Sequence, residues 1–346
     1  MRNADILTKQ TKKIADISNL VFGQHRIGSQ EFFLKRGSIS TIPLSSLPHY
    51  TYLEEGAEPK LGCEYDEYLK ASWKSLRQAT ETARLARMVE YSKLFQSFLP
   101  EDSTVLTPIS VCRRPDGKEI IVHGNHRAAI AAFLGKDLPI EHIEQLDYLV
   151  KVARSAGEYY GPDLGVQPYQ SLFYDGNNVL AGRRLDMLER FNLIDKEDVI
   201  GKTVLDLGCN IGSNCFLASM AGASRVVGID NNRDLVSSAL RLNAFFGTDS
   251  LFYVRDLNDG VLADVSPADT VFCFSVSAYI EDRNVLKQAL LALTGNVLYF
   301  EGHPGTKAKD YDHILRGGFS AEMIGMLPCS AKDPVRNRPL LRCERA

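Results

Sequence analysis

The stretch TVLDLGCNIGSNCF, residues 203–216, decides how this chain is read. An apolar run ends in Asp206, a turn broken by Gly208 and Gly212 follows, and helix-compatible residues come next. Glycine has no Cβ, so such a turn bends sharply and lets backbone come close to a ligand. A strand feeding a loop of this kind reads as a nucleoside- or phosphate-binding site. A dinucleotide fingerprint needs G-x-G-x-x-G. Here the run is G-C-N-I-G-S-N, which weakens a nicotinamide reading.

Working outward, the pattern is regular strand–helix alternation. Helix 183–193 leads to strand 202–207 and helix 213–221, then strand 225–230 and helix 233–246. Strands 250–255 and 269–275, helix 282–293 and strand 296–301 follow. The spacing then predicts a helix near 319–324 and a hairpin from GMLPCSA and RPLLRCER. Repeated βαβ units require a parallel sheet with right-handed crossovers, into which the hairpin inserts one antiparallel strand. The second strand, RVVGID, ends in Asp230, placed for ribose hydroxyls. The third, in LFYVRDLND, has Asp256 just past its end, placed for an adenine amino group. These three acids sit at three successive strand ends, on the edge where open α/β sheets bind ligands.

VLDLGCNIGSN, VVGIDNN, VRDLND, DTVFCFSVSAYI and NVLYFEGH, in that order, resemble class I S-adenosylmethionine-dependent methyltransferases. The resemblance covers residues 180–346 and implies a Rossmann-like seven-stranded sheet. It implies that Asp206, Gly208, Cys209, Asn210, Gly212 and Asn214 hold the methionine part of S-adenosylmethionine. Asp230 would take the ribose, with Asn231 beside it as a further cofactor contact, Asp256 and Leu257 the adenine, and Phe274 and Ser275 the pocket floor. Many members carry glycine where this chain has Asn210. In that fold preceding segments often cover the cofactor, so Tyr169 or Arg184 is placed to touch the methionine carboxylate, or else the aromatics there pack an interface.

Methyl transfer from a sulfonium is an in-line displacement helped chiefly by proximity. A base is needed only for an acceptor that carries a proton near neutral pH. His303, just past the last parallel strand, is the candidate base, with Glu301 orienting it; the plainer reading is a solvated loop histidine. Glu281 and Asp282 start a helix. The place after the fourth strand reads FSVSAY, without the D/N-P-P-Y/F tetrad or the Pro-Cys nucleophile of DNA base methyltransferases. A small-molecule, glycan, lipid or phosphorylated acceptor is favoured and DNA is disfavoured. Arg336, Arg338 and Arg342 crowd the terminal hairpin; they either grip an anion or, more commonly, form a solvated face.

The N-terminal part has its own pattern. Residues 4–20 suit a short amphipathic helix, and 40–50 a short strand running into a Pro-marked loop. Residues 65–99 suit one or two helices. PISVCRR and EIIVHG are strands about a PDGK turn, HRAAIAAFLG is a helix ended by Gly135, and PIEHIEQ is a last strand. At the strand-to-helix junction stand Gly124, Asn125, His126 and Arg127, where helix N–H groups and cationic side chains make an anion site. The stretch resembles the ParB-like/sulfiredoxin fold, whose members bind nucleotide phosphates at this turn. That implies ATP or another nucleoside triphosphate as ligand, with Arg113 and Arg114 as added contacts. His123 replaces the common acid of the motif. The alternative is that the turn only caps a helix.

The expected organisation is therefore a smaller α+β ParB-like domain over 1–146, a connector or lid over 147–178, and an α/β methyltransferase domain over 179–346. Length suits two domains, at 346 residues with net charge −3 and pI ≈ 6.2. No basic excess points to a nucleic acid. Seven scattered cysteines without a C-x-x-C pair argue against a zinc site and suit reduced thiols in cytoplasm. No apolar run has the ~18 residues of a membrane span or the core of a signal peptide. Two other classes stay open: an RNA-modifying enzyme targeted by the N-terminal domain, and a non-catalytic cofactor-binding regulator. Oligomeric state leaves no mark in the sequence.

Overall fold

In a computed structural model, residues 10–12, 20–23, 26–73, 80–100, 107–156, 168–184, 186–259, 262, 264–302, 311, 314–330 and 333–346 are described. The chain divides into two compact units. One comprises 1–148 with 244–247, the other 149–243 with 248–346.

The first unit holds a five-stranded mixed sheet of β1 (Gln10–Lys12), β2 (Val21–Phe22), β3 (Ile109–Arg113), β4 (Glu119–His123) and β5 (Leu138–Ile143), in the order β1-β5-β3-β4-β2. Among the described residues five helices accompany it: α1 (Gln30–Leu34), α2 (Pro48–Glu54), α3 (Glu64–Trp73), α4 (Glu81–Phe98) and α5 (Asn125–Leu134). The strands about the PDGK turn and the helix ended by Gly135 are as read from sequence. Gly124 and Gly135 bracket α5 at φ +103° and +67°, backbone that glycine adopts without strain. Two readings change. Residues 10–12, placed in a helix by their periodicity, pair with β5 as an edge strand. The Pro-marked loop at 48–50 is the first turn of α2, because proline fits the first helical position, where no N–H is needed.

The segment 147–178 is not a plain connector. Helix α6 (Gln145–Ser155) opens it, and a hairpin of β6 (Leu172–Tyr174) and β7 (Asn177–Leu180) closes it. Residues 157–167 lie outside the described ones.

In the second unit come α7 (Met187–Asn192), β8 (Thr203–Leu207), α8 (Ser213–Met220), β9 (Arg225–Asp230), α9 (Arg233–Phe246), β10 (Leu251–Val254), β11 (Ala268–Phe274), α10 (Arg283–Leu293) and β12 (Thr294–Glu301). The chain ends in β13 (Phe319–Ser330) and β14 (Asp333–Arg345). The sheet order is β10-β9-β8-β11-β12-β14-β13, and β14 runs antiparallel to both its neighbours while the other pairings are parallel. The α/β sheet expected from sequence is present with all seven strands. The helix expected near 319–324 is instead the start of β13, whose hydrogen bonds to β14 override a weak local preference. Val271, Phe272 and Cys273 are fully buried at the sheet centre, as parallel strands covered on both faces require.

Candidate functional site

A cavity of about 330 Å³ opens at the carboxyl ends of β8, β9, β10 and β11. Its walls come from the loops after those strands and from the segment 169–190 ahead of the sheet. The loop after β8 owes its shape to glycine. Gly208 has φ +72°, and a Cβ there would sit 2.5 Å from a Val276 methyl. Gly212 has φ +87°, with the Phe252 ring 2.8 Å from the same position. Between them Asn210 also takes a left-handed backbone, φ +55°.

Asp230 ties this loop to the next. One carboxylate oxygen accepts from the Asn210 amide and the other from the Asn232 amide, both at 2.9 Å. Burial raises its pKa, and these two amides partly counter that. Asp256 lies nearer solvent and accepts from the Asn258 amide at 2.9 Å and from the Asn231 side chain at 3.4 Å. Chiefly that amide bond holds its pKa below the ordinary value. Asp230, Asn231, Asp256 and Leu257 line one side of the cavity, and Phe274 and Ser275 line its floor.

Asp206 is placed differently. It is 1 % exposed and does not line the cavity. Its carboxylate accepts from the Asn214 side-chain amide at 3.3 Å and from the Cys215 thiol at 3.7 Å. Burial pushes its pKa up to about 7, against the pull of Asn214 and Arg190. Asp206 therefore reaches the cavity only through Asn214, which does line it. Cys209 and Gly212 also lie behind the wall: the Cys209 thiol is fully buried, and burial raises its pKa.

The most heavily engaged group of the site is Glu301, at the end of β12 and 0 % exposed. Its carboxylate meets Arg184, Arg190 and Arg338 at 3.3 Å each and accepts from the Ser275 hydroxyl. Burial alone would raise its pKa, but the guanidiniums of Arg190 and Arg184 outweigh that and hold it at about 2. A carboxylate occupied by three arginines is a structural counter-ion. The expected pairing of Glu301 with His303 falls outside the described residues, because His303 is not among them.

Arg184 is equally committed. It makes a bidentate pair with Asp186 at 2.7 and 2.6 Å besides its contact with Glu301, so the expected grip on a ligand carboxylate has few donors left to use. Arg190 is the better-placed cation. It lines the cavity, its guanidinium lies 4.2 Å over the Phe274 ring, and its Nη2 donates to Asn214 at 3.0 Å. Its buried Nε has no hydrogen-bond partner among the described residues. Tyr169 lines the mouth, with Arg183 5.2 Å over its ring. Sequence reasoning missed Arg190 and Asp186. The signal for Arg190 was its i,i+4 spacing from Asp186 at the start of a helix. The hairpin arginines do not form a solvated face: Arg338 is 3 % exposed on Glu301, and Arg342 pairs with Asp198 at 2.8 Å. The Arg336 side chain lies outside the described ones.

In the first unit the GNHR turn faces inward. The His126 Nε2 lies 2.7 Å from the Tyr65 hydroxyl, and its ring packs edge-on against His49 and Tyr91 at 4.6 Å. Burial, with His49 and the Arg87 charge, drives the His126 pKa well below its ordinary value. Burial, then Arg87, takes His49 down to about 3. Arg127 donates to the carbonyls of Thr107 and Pro108 at 2.5 and 3.0 Å. Asn125 is buried at the first turn of α5. Arg114, proposed for phosphate, is buried and donates to the Ser40 carbonyl at 2.9 Å and to Asp116 at 2.9 Å.

The family description "methyltransferase domain" matches residues 199–306, which span β8 to β12 and every loop on the cavity's strand-end side. Residues 199–306 are thus similar to a methyltransferase domain, and they hold the five parallel strands of the seven-stranded sheet. Over 79 residues this chain is 30% identical to a tRNA U34 carboxymethyltransferase of Marinobacter nauticus, a match covering 23% of this chain and 24% of that protein. The chain thus spans about a quarter of the length of that relative. Among solved structures, the magnesium protoporphyrin IX methyltransferase of Synechocystis with bound S-adenosylmethionine is 24% identical. That match covers 46% of this chain and 77% of that one, with a TM-score of 0.39. WbdD is 20% identical, with 55% and 40% covered and a TM-score of 0.44. The family match ends at residue 306, so β13 and β14, the latter bringing Arg338 to Glu301, lie beyond it.

Proposed function

We propose that the methyltransferase domain binds S-adenosylmethionine in this cavity and transfers its methyl group to a small-molecule, glycan or phosphorylated acceptor. The observation that carries the reading is the pair Asp230 and Asp256 on one cavity wall, next to a glycine loop whose Gly208 has no room for a Cβ. When bound, the cofactor supplies an electrophilic methyl on a sulfonium. The chain's own residues bind and orient it. Each Asp230 oxygen holds one backbone amide and keeps a lone pair for a ribose hydroxyl. Asp256 and Leu257 suit the adenine, one polar and one apolar. Arg190 suits the methionine carboxylate better than Arg184, since it lines the cavity without the bidentate carboxylate pair that occupies Arg184. Phe274 and Ser275 form the floor beneath the reacting centre.

Calorimetry with S-adenosylhomocysteine tests this reading. Binding is expected, with Asp230→Ala weakening it about 10- to 100-fold, the worth of one or two hydrogen bonds to a charged group. A folded wild-type protein that gives no heat sinks it.

One observation favours a second acceptor class. The sequence match to a tRNA-modifying enzyme makes RNA the runner-up, with the first unit as its targeting module. That reading predicts an affinity for RNA that falls steeply with salt. For the turn at 124–127 we infer a folding role rather than nucleotide binding. The supporting observation is that His126 and Arg127 already hold Tyr65 and two carbonyls. ATP titration would show no heat on this account; saturable binding that His126→Ala abolishes would reverse it.

A further inference from the structure

Among the described residues, four that are not glycine have positive φ: Ala57, Asp175, Asn210 and Ser275. Two of them, Asn210 and Ser275, line the cavity. Strained backbone persists only where the surroundings over-determine it, and it gathers at functional sites. For Asn210 the strain is mild, because asparagine visits this region readily. Serine does so less readily, and Ser275 has φ +62° just where β11 ends and the cavity floor begins.

Two residues hold Ser275 in that conformation. Its amide donates to the Glu301 carbonyl at 2.7 Å. Its hydroxyl donates to the Glu301 carboxylate and accepts from the Arg338 guanidinium. Arg338 also reaches Glu301 directly at 3.3 Å. One residue of β12 and one of β14 thus grip the backbone and the side chain of a single floor residue. Both grips are buried, where a hydrogen bond to a charged group is strong. Its neighbours Phe274 and Val276 line the cavity as well, and Val276 is the residue against which Gly208 packs. A shift at 275 would move the floor and the glycine loop together.

We propose that Arg338 and Glu301 are positioning residues of the donor cavity, acting through Ser275, whose hydroxyl they clamp so that its backbone keeps the left-handed turn that forms the floor. The proposal rests on the S-adenosylmethionine reading above. It accounts for the terminal hairpin, since β14 delivers the guanidinium that closes the clamp. It also explains why a buried arginine stands so far along the chain from the loops it serves.

Glycine at 275 needs no clamp, because it takes positive φ without cost. Alanine loses the clamp and keeps the cost. The test is calorimetry of S-adenosylhomocysteine on the full chain carrying Ser275→Gly, Ser275→Ala, Arg338→Gln, or Arg338→Gln with Ser275→Gly. Expected is an affinity at least about tenfold weaker for Ser275→Ala than for Ser275→Gly, some 1.4 kcal/mol. Arg338→Gln should be weakened as much, and adding Ser275→Gly should restore it. A merely structural Arg338 would not be rescued by glycine at another position. Equal affinities for the Ala and Gly variants overturn the proposal, as does failure of glycine to rescue a folded Arg338→Gln. If Arg338→Gln does not fold, the Ala–Gly comparison, which leaves every buried charge in place, decides alone. Wild-type protein that is folded and does not bind overturns the donor reading itself, a separate outcome.

Discussion

Replacing Asp206 with asparagine should change how stability depends on pH, by an amount the burial of that residue sets. Its carboxyl has two neutral donors, Asn214 and Cys215, and no direct ion pair among the described residues, so ionising it in the fold is costly. Its pKa stands at about 7 against an ordinary 3.8. The sign follows from proton binding. Between about pH 4 and 7 the unfolded chain has lost this proton and the fold still keeps it. Stability is therefore highest below the unfolded value and falls by about 1.4 kcal/mol per pH unit until the folded group ionises near 7. Asparagine has no such slope. Denaturant titrations of both proteins at about pH 5, 6, 7 and 8 should show the variant gaining on wild type by about 3 kcal/mol between pH 5 and 7, then levelling. The histidine contributions from the first unit are common to both proteins and cancel in the difference. A stability difference that stays flat across that range would mean that Asp206 is ionised throughout, and the account of its burial would be wrong.

Glu301→Gln removes the carboxylate that three buried guanidiniums share, leaving Arg184 on Asp186, and should destabilise the protein by about 3–5 kcal/mol in denaturant melts; a loss under about 1 kcal/mol would show that the arginines find other partners. Gly208→Ala must relieve both a positive φ and a 2.5 Å approach to Val276, so S-adenosylhomocysteine binding should weaken at least about tenfold while far-UV circular dichroism stays unchanged. Tyr65→Phe removes the hydroxyl at His126 and should cost about 1–3 kcal/mol, seen as earlier proteolysis of the first unit.

Much of the fold was legible because its signals are local. Strand 225–230 and helix 233–246 were read to the residue, since an apolar run ending in aspartate and a clear helical period leave little choice. The failures are where pairing partners are remote. Residues 319–324 read as helix because nothing nearby shows that β14, which begins at Asp333, will claim their hydrogen bonds. Residues 10–12 read as helix for the same reason, their partner being at 138–140. At the site, glycines and strand-end acids were legible, because the chemistry of a turn or a carboxylate is carried by one residue. The Glu301 node was not. It joins residues 184, 190, 275, 301 and 338, and no spacing along the chain relates them. Reading the hairpin arginines as a surface followed ordinary odds, and burial beside a carboxylate reversed it.

The three acids differ in kind because they stand at three depths. In the sheet Asp206 is level with Gly228, and Asp230, two residues further on, is level with Val254. Asp256 comes two residues after that. At about 3.3 Å per residue each step is some 6–7 Å toward solvent, roughly a strand's two-residue repeat. Electrostatics follows the staircase. The deepest carboxyl has its pKa pushed up to about 7, the middle one is raised, and the outermost is lowered. Desolvation leads at the first two positions and the Asn258 amide at the third. A common place at strand ends therefore does not make a common role. The two outer acids face the cavity and can accept hydroxyl or amino protons there. The inner one holds Asn214, and through it Arg190, so an arginine meets the cavity on that side although the residue beneath it is an acid.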